Sequence, residues 1–130
     1  MKALLPPGWP RPKGYSNGIA VTGKTIYTAG VVGWDEQEYF VADTLPGQFA
    51  QALRNIIAIL AVDGAGPANL VRLTCYVTSI EAYLAGLPEI GTAWKSIIGP
   101  HYPAMALVEV SRLVEPKALV EIEATAVVPE

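Results

Sequence analysis

Between Leu45 and Val62 the apolar residues Phe49, Leu53, Ile56, Ile57 and Leu60 recur at helical spacing, with Gln48, Gln51, Arg54 and Asn55 between them. Both ends are marked. Asp43 or Thr44 supplies an N-cap and Pro46 suits the first turn, while Gly64, Gly66 and Pro67 stop the helix. A helix with one apolar face must bury that face against another element. The runs on either side have strand character, so the chain is constrained to an α+β arrangement with helices laid on a sheet.

Upstream, Gly18–Thr22 and Thr25–Ala29 flank Gly23-Lys24, which predicts a β-hairpin. Gly30, Gly33 and Trp34-Asp35-Glu36 then form a loop. Downstream, Leu70–Thr78 is a β-rich run with alternation. Ser79 reads as the N-cap of a second helix over 80–98, weakened by Gly86, Pro88 and Gly91 so that a kink or late start is expected, and ended by Gly99-Pro100. Ala104–Val110 and Ala118–Val128 are two more strands, joined through Glu115-Pro116-Lys117. The order is ββαβαββ: a mixed sheet with two helices on one face and the other face left for something else to cover. Residues 1–14, rich in Pro and Gly, predict an irregular N-terminal arm. No repeat or linker divides the chain, so one domain over 1–130 is expected.

Composition bears on that uncovered face. The chain is 52% hydrophobic and 16% charged, more apolar than one small core hides. Burial between copies in a symmetric homo-oligomer is expected over an unusually dense monomer core. The net charge of −3, with no run of Lys or Arg, argues against a nucleic-acid footprint. One cysteine, Cys75, rules out an internal disulfide and fits a reducing compartment. Prolines in MKALLPPGWPRP interrupt any signal-peptide core, and no apolar run reaches the ~18 residues of a membrane span. A cytoplasmic protein with no membrane partner is expected.

Several polar residues are candidates for chemistry. Glu121 and Glu123 are two apart on a strand and point the same way, as on a solvated face, and Glu109 reads likewise. His101, the lone histidine, is either a general acid or an ordinary surface or interface residue. With no second His and no Cys at metal spacing, no metal and no cofactor are expected. Cys75 reads as a buried structural thiol. Trp94 suits helix packing, while Trp34 serves either an aromatic pocket or packing. Arg72 is either an interface ion-pair residue or a pocket cation.

Segments along almost the whole chain carry a family resemblance. They are Lys13-Gly14-Tyr15-Ser16-Asn17-Gly18-Ile19, Thr28-Ala29-Gly30-Val31, the run from Gln48 to Ile56, and Asp63-Gly64-Ala65-Gly66 followed by Leu70–Thr74. Most specific are Pro103-Ala104-Met105-Ala106-Leu107-Val108-Glu109-Val110 and Val120-Glu121-Ile122-Glu123-Ala124-Thr125-Ala126. In order and spacing these resemble the YjgF/RidA (reactive intermediate deaminase) family. The resemblance implies a chorismate-mutase-like fold, a homotrimer, and ligand clefts between neighbouring subunits.

The deaminating branch of that family hydrolyses enamines and imines to a keto acid and ammonia. By resemblance, Glu121 matches the glutamate that holds the attacking water, as the catalytic residue. Tyr15, Gly30, Val31, Trp34, Met105 and Leu107 fall to substrate binding, Tyr15 through its phenol and Leu107 through its backbone N–H. Met105 stands where the family's arginine grips the substrate carboxylate, and methionine offers neither charge nor bidentate donor. The expected function is hydrolysis of an enamine or imine other than the usual 2-imino acid. The alternative is a non-catalytic small-ligand-binding module or holdase of the same fold. Some relatives are labelled endoribonuclease, which the acidic charge disfavours.

Overall fold

The Thr44 hydroxyl accepts a hydrogen bond from the Gly47 N–H at 3.3 Å, so the long helix starts where its spacing and caps place it. The computed structural model describes residues 1–130. Its elements are β1 (Lys2–Leu4), β2 (Gly18–Ala20), β3 (Gly23–Tyr27), β4 (Val31–Val32), α1 (Leu45–Ala61), β5 (Leu70–Val77), α2 (Ile80–Ala85), α3 (Leu87–Ile97), β6 (Ala104–Glu109) and β7 (Val120–Pro129). A short 3₁₀ turn, Pro67–Asn69, leads into β5.

The main sheet runs β3-β7-β5-β6, with β4 also on β7. Only β5 and β6 are parallel, and the α2–α3 segment makes the crossover such a pair needs. The α+β expectation holds. The expected hairpin does not form: β2 pairs with β1, and β3 pairs with the far end of β7. Gly23 explains the difference. It sits in the strand rather than in a turn, at φ +150°, where a side chain would collide with the Val128 carbonyl. A strand glycine here marks close backbone approach. Nor is the N-terminal arm wholly irregular, since Lys2–Leu4 is the strand that takes β2.

The second helix is two helices. Gly86 caps the end of α2 and the start of α3, and Pro88 is tolerated in the first turn of α3. A Cβ on Gly86 would come within 2.5 Å of the Pro46 ring, so the break lets this corner lie against the start of α1.

Register assigns the two faces of the sheet. Leu73, Cys75 and Val77 of β5 stand opposite Ala124, Ile122 and Val120 of β7 and are buried under the helices. Phe49, Leu53, Ile56 and Leu60 of α1 and Ile90 and Trp94 of α3 complete that core. Cys75 is wholly buried, and burial pushes its thiol up to about 12, so it is an inert core residue as expected. Gln48 departs from its polar reading. It is buried on α1, donating to the carbonyls of Ala42 (3.1 Å) and Lys117 (3.0 Å) and accepting from the Leu119 N–H (2.8 Å).

No helix covers the other face. It carries Arg72, Thr74 and Tyr76 of β5 beside Thr125, Glu123 and Glu121 of β7, with Tyr27 (76% exposed) and Val108 (44% exposed) at its edges. The chain exposes 7702 Å² in all. A folded monomer of 13.8 kDa exposes about 6,600 Å² by the usual mass scaling. No helix is long and apolar enough to cross a membrane.

Candidate functional site

Several of the residues singled out in the sequence fall into two groups on opposite sides of one sheet. Glu121 lies on the uncovered face, in register with Tyr76 on one side and Val32 on the other. Its carboxylate rests over Gly30, where any side chain would meet it. Gly30 and Glu121 therefore form one feature, since the missing Cβ is the space the carboxylate fills. No hydrogen bond within the chain holds Glu121. Glu123 differs: it accepts a hydrogen bond from the Tyr76 hydroxyl at 2.9 Å. That bond, with some burial and the charges of Glu123 and Glu121, raises the Tyr76 pKa. Glu123 is thus occupied, and Glu121 is free to hold something else.

This arrangement yields a first prediction. Gly30→Ala keeps an unstrained backbone, because Gly30 has no positive φ, but it displaces the carboxylate. The melting temperature is expected to stay within a few degrees of wild type, while any reaction that depends on Glu121 slows at least tenfold. Unchanged turnover with a shifted Glu121 would rule out a positioned carboxylate.

The second group lines a cavity of about 530 Å³ between α3, β6 and the N-terminal arm. Met105 and Leu107 stand in register with Leu73 and Cys75, on the helix side of the sheet, and form its floor. Trp94, stacked on Tyr102 with centroids 6.1 Å apart, forms a wall with Tyr83. Tyr15 reaches the cavity because the arm is pinned beside it: Ser16 donates from its backbone to the Pro103 carbonyl at 3.0 Å and from its hydroxyl to the Tyr102 carbonyl.

The remaining candidates lie elsewhere. Val31 packs into the core opposite Ile122. Trp34 stacks at a tilt on Phe40, 5.7 Å away, and its carbonyl accepts from Asn55 at 2.7 Å. It does not line the cavity. His101 is a structural tie: its Nε2 meets the Leu70 carbonyl at 2.7 Å, and a carbonyl only accepts, so that nitrogen carries the hydrogen. Arg72 lies on the uncovered face near Glu123, in a hollow of about 230 Å³. There is no group of His, Cys, Asp and Glu suited to a metal ion.

Sequence reasoning passed over the α3 wall. Leu87, Ile90, Gly91, Trp94 and Lys95 all border the cavity. Their spacing of three and four was a readable stripe, and the expected continuous helix obscured where it began.

The chain is similar to known proteins over most of its length. Residues 10–128 match the endoribonuclease L-PSP family. A RutC family protein of Pasteurella multocida is 33% identical over 106 residues, covering 81% of each chain. A Salmonella typhimurium protein named 2-iminobutanoate/2-iminopropanoate deaminase is 29% identical over 117 residues, covering 87% of this chain and 86% of its own. Among solved structures, a protein of unknown function of the Rid family from Yersinia pestis matches with a TM-score of 0.83 at 31% identity, over 98% of each chain.

Proposed function

We infer a function from one premise: the chain belongs to the endoribonuclease L-PSP family, the group of the YjgF and Rid proteins. We propose that it hydrolyses an enamine or imine in a cleft formed between copies of the chain. The observation that carries this reading is the Glu121 carboxylate, set over Gly30 on a sheet face that no helix covers. Tyr15, Met105 and Leu107 line a cavity on the other side of the same sheet. One copy cannot bring the two groups together, whereas a neighbour seated on the uncovered face can. Hydrolysing C=N needs a base for water and a proton for the departing nitrogen. Water attacks the carbon while Glu121 takes one of its protons. That proton passes to nitrogen to give a carbinolamine. Its hydroxyl then yields its own proton to nitrogen as the C–N bond breaks, leaving a carbonyl product and ammonia. An enamine first shifts a proton from nitrogen to carbon to become the imine.

A homotrimer is the assembly we propose, as the family resemblance implies. Light scattering at micromolar concentration is expected to give about three times 13.8 kDa. A monomer would remove the cleft and the mechanism with it.

The substrate differs from short 2-imino acids because Met105 offers their carboxylate no charged partner. A hydrogen bond to a charged group contributes about 1.5–3 kcal/mol, so 2-iminobutanoate is expected to turn over roughly ten- to a hundredfold more slowly than in an arginine-bearing relative. Ammonia and keto-acid release from imines generated in the assay measures this. Equal rates would mean that another cation has taken the role.

The cavity supports a second reading, because its lining contains no carboxylate or histidine. A binding module would take up small ligands there without turnover, and its affinity would ignore Glu121.

A further inference from the structure

The cavity floored by Met105 and Leu107 is bordered by two cations, Lys13 and Lys95, and by no Asp or Glu. In a chain of net charge −3 this is a local excess of positive charge. Neither ammonium is matched within the chain, whose one ion pair is Lys24–Asp63. Both are placed by local structure. Lys95 follows Trp94 on α3, and Gly14, at φ +81°, turns the arm so that Lys13 and Tyr15 both border the cavity. The walls between them are apolar and aromatic: Trp94, Tyr83, Leu107 and Met105. A cavity of about 530 Å³ lies within the usual range for small organic ligands, roughly 300–1,000 Å³. A three- or four-carbon acid would leave most of it empty.

We propose that this pocket binds carboxylic acids with a bulky apolar body, aromatic in size, whose carboxylate is held at the rim by Lys95 with Lys13. The inference rests on the reading of this cavity as the ligand-binding half of the site. It supplies the charge that Met105 lacks, at a different place and for a longer ligand. An ammonium is a point charge without the fork of a guanidinium, so selectivity comes from the length of the body as much as from the charge.

Lys95 also sits in the last turn of α3, where a cation suits the helix dipole whatever the pocket binds. The test therefore reads affinity as well as stability, and it uses no turnover. Calorimetry compares 3-phenylpropanoate, its uncharged amide and propanoate on the intact protein. Wild type is expected to bind the phenyl acid about tenfold more tightly than the amide, the size of one charge-assisted contact at a partly exposed site. Propanoate is expected to bind more weakly still. Lys95→Met brings the acid down to the level of the amide, and Lys95→Arg keeps the preference. These acids and the amide carry no C=N bond to hydrolyse, so a failure of the hydrolytic reading does not imitate a failure here. Equal binding of acid and amide in wild type overturns the proposal. So does a preference that survives Lys95→Met with Lys13→Met, or a Lys95→Met effect confined to the melting temperature.

Discussion

Glu121→Gln is expected to lower the rate of ammonia release from an imine substrate by roughly 10²–10⁴-fold, the range for removing a general acid–base group. The amide fills the same space over Gly30 and still hydrogen-bonds, but it takes no proton from water. Melting temperature and oligomer mass are expected to hold, because no contact within the chain depends on that charge. Glu123→Gln is the control. Its carboxylate serves the Tyr76 hydroxyl, so its loss is expected to change the rate by only a few-fold. Equal losses in the two variants would show that the charge of the whole strand face matters rather than one base. If wild type binds ligand without releasing ammonia and Glu121→Gln binds it equally, the chain is a binding module.

The second large effect concerns stability. Gln48→Ala is expected to destabilise the fold by about 3–4 kcal/mol, because it strands two carbonyls and one N–H that its buried amide satisfies and opens a cavity beside α1. For a chain of this size that lowers the melting midpoint by roughly 10 °C. Gln48→Met keeps the volume and loses the hydrogen bonds, so it separates the two causes. Thermal denaturation at one fixed protein concentration makes the comparison valid for an assembling chain. A Gln48→Met midpoint within two degrees of wild type would show that the ties to Ala42, Lys117 and Leu119 contribute nothing.

Gln48 also shows where reading the sequence succeeds and fails. The stripe through Phe49, Leu53, Ile56, Ile57 and Leu60 was legible because burial and helical period agree there, Ile57 alone being only partly buried. Gln48 lies on the same stripe, three residues after Leu45, yet its polarity hid its burial. What buries it is the backbone of loops 42 and 117–119, which no local pattern announces. The longer strands were legible for the same reason as the helix, through alternation and bounding glycines, whereas the short β1 and β4 fell in an expected arm and loop. Pairing was not. Gly23 looks like a turn residue in sequence, and only the approach of β7, about a hundred residues away, gives it its actual use.

Of the candidate site, Glu121, Gly30, Tyr15, Met105 and Leu107 were named through resemblance alone, and only the structure sets Gly30 under Glu121 and Tyr15 beside Met105 and Leu107. Residue spacing does not reveal which face of a sheet a strand turns toward a cavity until the register is known. Val31 and Trp34, proposed on the same grounds, turn to the core and to Phe40 instead. Lys95 was open to inference from the α3 stripe once that helix was seen to begin after Gly86.

The position of β7 in the sheet has a consequence for biosynthesis. This strand pairs with β3, β4 and β5, and every strand it joins is made before it. On the ribosome, β3 and β4 wait with open edges until residues 120–129 emerge, and only the β1–β2 ribbon, the three helices and the β5–β6 pair can form earlier. Such long-range closure is slow and leaves apolar strands exposed to other nascent chains. A transcript cut short before Val120 would therefore yield an aggregating fragment rather than a smaller folded protein.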